Sequence, residues 1–168
     1  MNRHLILMRH GKSSWDDPGL CDHDRPLNPR GFRASRLMGR FLAAQHWLPE
    51  VVLCSTAQRT RSTWDEVTDE VSWAGHRIDC EDLYLATPQM ILDTIQDLGG
   101  DAHSVLVLGH NPGMEQLLEA WIDYCGKFPT AAVAVLQFTI SAWGELALDF
   151  KPVESSVWKP KELESLES

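Results

Sequence analysis

The stretch Leu5-Ile6-Leu7-Met8-Arg9-His10-Gly11 is apolar for four residues and then abruptly polar. A short apolar run that ends in a turn-prone residue is typical of a buried strand in a parallel sheet. Ligand sites in such sheets lie beyond the carboxyl ends of the strands, so Arg9 and His10 are placed for chemistry. The arginine offers a donor fork for a phosphate or carboxylate, and the histidine offers a nucleophile or a base. Gly11 allows the chain to turn and a ligand to approach the backbone, although a solvated polar strand end is the alternative interpretation.

Two further apolar runs end in the same way. Residues 51–54 (VVLC) lead into 55–61 (STAQRTR), and residues 104–109 (SVLVLG) lead into 110–113 (HNPG). Each run precedes a loop or a helical pattern, and this alternation predicts an α/β fold with a mostly parallel sheet and right-handed crossovers. The three polar ends would then lie at the same edge of the sheet.

The remaining elements follow from local signals. Asn28 before Pro29 and Thr87 before Pro88 are helix-start signals, and the first of these helices is expected to end near residues 47–49. Residues 78–83 suggest a brief edge strand. Residues 132–140 and 146–150 are β-rich and flank a turn at 141–144, which predicts an antiparallel hairpin near the C-terminus. We expect a single domain over residues 1–150 and a weakly ordered or surface-draped tail over 151–168.

Composition restricts the classes of function. The chain has 168 residues and a formal net charge of −9, which suits one globular domain and argues against a nucleic-acid partner. The four cysteines are widely spread without a CxxC spacing, so they indicate reduced thiols rather than a disulfide framework or zinc site. The sequence shows no signal-peptide pattern and no apolar run of membrane-spanning length. We therefore expect a cytoplasmic protein that binds neither nucleic acid nor membrane.

Basic side chains gather at the predicted sheet edge. His10 follows the first apolar run, and His110 follows the run at residues 104–109. Arg59 and Arg61 both fall near the first turn of a helix that follows the run at residues 51–54. A helix N-terminus disfavours cations, and clustered positive charges repel one another unless an anion binds among them. The pattern therefore predicts an oxyanion site.

These residues also carry a resemblance to a known family. Met8-Arg9-His10-Gly11 resembles the RHG signature of the histidine phosphatase superfamily, which includes the cofactor-dependent phosphoglycerate mutases. The segments RHGKSSW (9–15), DHDRPL (22–27) and GHNPG (109–113) resemble more closely the short SixA-type phosphohistidine phosphatases. The similarity extends from about Leu5 to about Phe150 and implies a three-layer α/β/α, phosphoglycerate mutase-like fold.

The resemblance also implies roles for individual residues. His10 matches the family's nucleophile, and Arg9 matches the arginine that binds the phosphoryl group. The second phosphate-binding arginine matches Arg59, or Arg61 if the register slips by two, and the late histidine matches His110. A neutral His10 would attack phosphorus in line, and the two arginines with a protonated His110 would stabilise the phosphoryl oxygens. Such chemistry requires no metal and no cofactor.

Several neighbouring residues are weaker candidates. Gly11, Ser13 and Arg25 are expected to help bind phosphate or substrate, although Arg25 has an alternative salt bridge to a nearby aspartate. The larger members of the superfamily carry an acid that protonates the leaving oxygen, and the nearest candidates here are Glu81 and Asp82.

The sequence therefore favours a phosphatase that forms a phosphohistidine intermediate and acts on phosphohistidine in a protein. A labile P–N bond needs less help from an acid than an alkyl ester does, and the chain is too short for the lid of the mutases. The alternatives are a phosphatase for a small phosphorylated metabolite and a non-catalytic module that binds phosphate or a phosphoprotein. The oligomeric state stays open.

Overall fold

A single mixed sheet organises the molecule. In the computed structural model, which describes residues 1–167, the strands are β1 (Asn2–Arg9), β2 (Val51–Ser55), β3 (His76–Cys80), β4 (Ser104–Gly109), β5 (Val133–Thr139) and β6 (Glu154–Trp158). Their order across the sheet is β3-β2-β4-β1-β5-β6. The pairs among β1 to β4 are parallel, whereas β5 is antiparallel to both β1 and β6.

Helices cover both faces of this sheet, and the described helices are α1 (Pro29–Ala44), α2 (Gln58–Asp69), α3 (Pro88–Leu98), α4 (Gly113–Ile122) and α5 (Pro160–Glu167). Leu5 and Leu7 pack toward α3 and α4, while Ile6 and Met8 pack toward α1, α2 and α5. The apolar run of β1 is continuous because both of its faces are buried. The expected three-layer α/β/α fold is confirmed. Within residues 1–167, no helix is both long and apolar enough to cross a membrane.

The predicted helix starts are confirmed in detail. The Asn28 side chain accepts a 2.8 Å hydrogen bond from the Gly31 amide, and Pro29 is the first residue of α1. The Thr87 side chain accepts one of 3.2 Å from the Met90 amide at the start of α3. These caps satisfy amides that have no partner within the helix.

The predicted hairpin is present, but its second strand is β6 and not residues 146–150. Val133 pairs with Trp158, and Gln137 with Glu154. Residues 146–150 do not form a strand, and two of their carbonyl groups accept hydrogen bonds from side chains of α3 and α4. Gln96 donates to the Leu146 carbonyl at 2.7 Å, and Trp121 donates to the Ala147 carbonyl at 3.0 Å.

The segment expected to be a loose tail contributes instead to both the sheet and a helical layer. β6 extends the sheet beyond β5. α5 packs on α1 through Leu163, which is only 5% exposed. The Trp158 ring lies 5.0 Å from that of Phe41 in α1. The prolines that suggested a tail mark element boundaries, since Pro160 is the first residue of α5. The expectation of a weakly ordered tail is therefore wrong for residues 154–167, and Ser168 lies outside the described residues.

We predict that Leu163→Ala lowers the free energy of unfolding by about 2 kcal/mol, because it leaves a cavity where α5 meets the core. Leu166→Ala is the matched control, since Leu166 lies on the same helix and is 78% exposed. Urea unfolding measures both. Equal stability of the two variants would mean that α5 does not pack against α1 in solution.

Candidate active site

The register of the sheet brings the two site histidines together. Arg9 at the end of β1 pairs with Gly109 at the end of β4, and each is followed directly by a histidine. The rings of His10 and His110 lie 5.1 Å apart. They lie in a cleft of about 240 Å³, which is also lined by Arg9, Lys12, Ser13, Trp15, Arg25, Arg59, Leu85, Asn111 and Thr130.

His10 is held in one tautomer. Its Nδ1 lies 2.7 Å from the Gly11 carbonyl oxygen, which can only accept, so Nδ1 carries the proton. Nε2 therefore keeps its lone pair, and Arg59 Nε donates to it at 3.4 Å. The residue is 7% exposed. The pKa of His10 is lowered to about 3, chiefly because burial disfavours the charged ring, with a further contribution from nearby Arg59 and Arg9. The ring is neutral at pH 7.

His110 is neutral for the same reason. Burial, followed by the proximity of His10 and Arg59, lowers its pKa to about 3. Its Nε2 lies 2.7 Å from Ser55 Oγ, and its Nδ1 lies 3.4 Å from Arg59 Nη2. The guanidinium can only donate, so Nδ1 accepts and Nε2–H donates to the serine. The protonated His110 that the sequence suggested thus requires the added negative charge of a phosphoryl group.

Arg59 is the arginine of α2 that reaches the cleft. It is 4% exposed and donates from Nη1 to the Asp22 carbonyl at 2.6 Å, besides its contacts with both histidines. Arg61 lies about 200° further around the helix, as two residues at 100° each require. Its Nη2 contacts Gln58 Oε1 at 3.1 Å, outside the cleft. The structure therefore favours Arg59 over Arg61.

Asp22 and Tyr84 complete the site, and sequence reasoning missed the role of both. The Asp22 carboxylate lies 3.0 Å from Arg59 Nη2 and 3.1 Å from Arg25 Nη1, and it accepts a hydrogen bond from the Tyr84 hydroxyl. That hydroxyl, followed by Arg59, lowers the pKa of Asp22 to about 2. Asp22 was considered only as a partner of Arg25, and nothing in the sequence singled out Tyr84. The carboxylate offsets part of the positive charge and orients both guanidinium groups.

Arg9 approaches the cleft from the other side. It is half-buried, and its Nη1 donates to the Phe128 carbonyl at 3.3 Å. Asn111 donates to the same carbonyl at 2.8 Å and to Glu115 Oε1 at 2.9 Å. The Asn111 side chain does not cap α4, and its hydrogen bond to the Phe128 carbonyl holds the loop at residue 128 beside Arg9.

Of the weaker candidates, Arg25 and Ser13 lie in the cleft and Gly11 does not. Arg25 Nη2 donates to Ser13 Oγ at 2.5 Å while its Nη1 pairs with Asp22, so the alternative salt bridge is present and the role of Arg25 in binding phosphate stays a prediction. The Gly11 amide is taken by Thr63 Oγ1 at 2.9 Å. A Cβ at Gly11 would meet the Gly31 carbonyl at 2.9 Å, so this glycine allows the approach of α1 rather than that of a ligand.

Glu81 and Asp82 are not brought to the cleft. They are exposed in a short 3-10 turn after β3, the edge strand, and they line a separate depression. Neither can protonate a leaving group beside His10, so the structure corrects their candidacy as general acids. Among the described residues that line the cleft there is no carboxylate.

The rim of the cleft exposes apolar surface. Trp15 is 73% exposed and stacks on Arg25, whose Cζ lies 3.2 Å from the ring centroid. Leu85, which also lines the cleft, is exposed too and has a positive φ of 50°.

A neutral, buried histidine among guanidinium groups, at the carboxyl edge of a parallel sheet, is an arrangement suited to phosphoryl transfer. The family model of the histidine phosphatase superfamily (branch 1) matches residues 5–81. An uncharacterized protein of Mycobacterium tuberculosis is 38% identical over 141 residues, which span 77% of this chain and 86% of that protein. The chain belongs to the histidine phosphatase superfamily.

Solved structures narrow the class. One described as phosphohistidine phosphatase SixA of Nakamurella multipartitia has a TM-score of 0.81 and 30% identity, with 95% of this chain and 97% of that chain covered. The protein histidine phosphatase SixA complexed with tungstate has a TM-score of 0.78 and 26% identity, with 95% and 99% covered. The chain is thus of the SixA type, and it is a phosphatase.

We predict that Arg59→Ala weakens the binding of inorganic phosphate at least tenfold, because it removes a buried cation that can donate to the anion. Arg61→Ala is the control from the same helix and should change the dissociation constant less than twofold. Isothermal titration calorimetry measures both. A comparable loss of affinity in the two variants would show that Arg59 is wrongly assigned as the second phosphate-binding arginine.

We also predict that both cleft histidines stay neutral from pH 8 to about pH 4, as their lowered pKa values require. Nitrogen-15 NMR of the imidazoles reports this directly. In urea the same rings should titrate near pH 6.5, so the unfolded chain binds more protons between about pH 3 and 6.5. Their contribution to stability is therefore complete above about pH 6.5 and is lost as the pH falls. A folded-state titration near 6.5 would contradict this assignment.

Proposed function

We propose that this phosphatase hydrolyses phosphohistidine on a protein, through a covalent intermediate at His10. The observation that carries the proposal is the composition of the cleft. It combines a histidine with an unprotonated ring nitrogen and several cations, but no carboxylate lines it among the described residues. Such a site can accept a phosphoryl group, yet it has no carboxylic acid to protonate an alkoxide.

The nucleophile is Nε2 of His10. It is unprotonated at pH 7, and the bond from Nδ1–H to the Gly11 carbonyl fixes the ring and stabilises the positive charge that develops during attack. Attack forms an Nε2–P bond as the P–N bond of the substrate breaks. Water then attacks the same phosphorus, which releases phosphate and restores the neutral ring.

Charge on the transferring phosphoryl group is met by fixed donors. Arg59 and Arg9 approach from opposite sides of His10, and His110 gains a proton once the anionic group raises its pKa. The relative solved with tungstate, a tetrahedral oxyanion, supports a cleft of this shape as an oxyanion site.

The leaving group explains the absent acid. An alkyl phosphate ester releases an alkoxide that requires a proton in the transition state. A phosphohistidine protonated on its second ring nitrogen releases neutral imidazole and requires none from the enzyme. Asp22, the nearest carboxylate to the arginines, is ionised with a pKa of about 2 and cannot serve.

The rim favours a protein over a small molecule. Trp15 and Leu85 both line the cleft and are 73% and 55% exposed, so they offer apolar surface to a protein that docks there. A phosphoryl group on a projecting histidine reaches the cleft while its protein rests on this rim.

We predict that the enzyme turns over a phosphohistidine-bearing protein domain at least a hundredfold faster, in kcat/KM, than a panel of small phosphate esters. His10→Ala should abolish turnover and retain phosphate binding, because the arginines stay in place. Steady-state phosphate release measures the first, and calorimetry the second. Trapping of an acid-labile phosphoenzyme in the wild type, and not in the variant, tests the nucleophile separately.

Two results would contradict the proposal. Preference for an ester would show that a proton donor reaches the cleft and that the substrate is a metabolite. Turnover retained by His10→Ala would show that the phosphoryl group is transferred directly to water or to another residue.

A further inference from the structure

A basic groove adjoins the catalytic cleft. It has a volume of about 260 Å³, and its positive side chains are Lys12, Arg30, Lys127, Lys159 and Lys161. The apolar residues that line it, Ala34, Pro129 and Pro160, form its apolar floor, and Glu164 is the acidic residue that lines it. Lys12 and Thr130 line both the basic groove and the cleft, so the two are continuous.

This concentration of positive charge contrasts with the rest of the protein. The net charge is −9, yet four of the five lysines in the chain line the basic groove. Elsewhere on α1, Arg36 pairs with Glu66 at 2.6 Å and Arg40 pairs with Glu70 at 2.8 Å. Within the described part of the chain, no carboxylate oxygen lies within 4.0 Å of any of the five groove cations in an ion pair. Gathering like charges without partners is unfavourable unless an anionic ligand offsets it.

The basic groove is assembled from segments that are distant in sequence. Lys12 follows β1, Arg30 is in the first turn of α1, and Lys127 lies in the loop before β5. Lys159 and Lys161 come from the start of α5, which Leu163 anchors on the core. The C-terminal segment therefore builds one wall of the groove, which is a function that a loose tail could not have.

We propose that the basic groove binds an acidic segment of the protein that carries the phosphohistidine, a proposal that rests on the function proposed above. Carboxylates near the phosphorylated histidine would meet the lysine side chains while the phosphoryl group occupies the cleft. The apolar floor and the lysine stems suit contact with a protein surface. A metabolite with a single phosphoryl group fills the cleft and does not reach the groove.

Such a groove affects the association and binding of the substrate protein rather than the chemical step. Complementary charge raises the association rate and stabilises the bound protein, and both effects weaken as salt rises. Lys159 and Lys161, which line the groove and not the cleft, should therefore govern KM for an acidic protein substrate and its salt dependence, and leave kcat and small substrates unaffected.

The test compares Lys161→Glu and the double variant Lys159→Glu/Lys161→Glu with Lys151→Glu, the lysine outside the groove. Acidic residues are favourable at a helix N-terminus, so α5 should persist, and thermal unfolding checks this. The substrates are a phosphohistidine domain with carboxylates beside its histidine, the same domain with those carboxylates changed to amides, and free phosphohistidine.

For the acidic domain we expect kcat/KM to fall at least tenfold in the double variant, through KM, and less than twofold in Lys151→Glu. The amide version of the domain should lose a similar factor with the wild-type enzyme and be insensitive to the double variant. Turnover of free phosphohistidine should change less than twofold throughout. Added NaCl should lower kcat/KM steeply for the wild type and weakly for the double variant.

The outcomes distinguish failure of the basic-groove proposal from failure of the proposed phosphohistidine phosphatase function. Wild-type enzyme that leaves the phosphohistidine domain unhydrolysed would overturn both. Rapid hydrolysis of the domain with no effect of the groove variants would overturn the basic groove alone. An equal loss on free phosphohistidine would show that the lysines support the cleft rather than a protein partner, and would also overturn it.

Discussion

The active site depends on burying guanidinium groups beside two histidines without neutralising them completely. Like charges in a low-dielectric site repel, and Asp22 offsets that repulsion by pairing with both Arg59 and Arg25. The positive charge that remains has two consequences. It adds to burial in holding the pKa of His10 low, so that the ring is neutral at pH 7, and it favours the binding of an anion in the cleft. The same positive charge thus serves anion binding and keeps Nε2 of His10 unprotonated.

The topology of the sheet brings the two histidines together without any special loop conformation. Parallel neighbours place the ends of β1 and β4 side by side, so a histidine after each strand needs no special loop. The Gly11 carbonyl, which fixes the His10 tautomer, belongs to the same turn that Gly11 makes possible against α1. Because the backbone and a helix interface determine the tautomer, the orientation of the His10 ring is coupled to packing of the core rather than to a mobile side chain.

The sequence could predict what depends on local pattern. Continuous apolar runs that end in His10 and His110 determine both the sheet and its functional edge, and Asn28 and Thr87 mark helix starts because their hydrogen bonds are local. Contacts between segments that are distant in the chain could not be predicted from the sequence pattern. Tyr84 meets Asp22 across 62 residues. Strand β6 was mistaken for a tail because its stability comes from pairing with β5, whereas residues 146–150 have β propensity but no strand partner.

A cleft rich in cations and without an acid would select substrates by the chemistry of their leaving group. Every phosphoryl compound presents similar oxygens to Arg9, Arg59 and His110, so binding of that group alone cannot distinguish an ester from a phosphoramidate. The transition states differ in the atom that departs, since an alkoxide requires a proton and a protonated imidazole does not. Selectivity of this kind needs no enclosing lid, so the rim and the adjoining surface would be available to recognise a protein substrate, as proposed above.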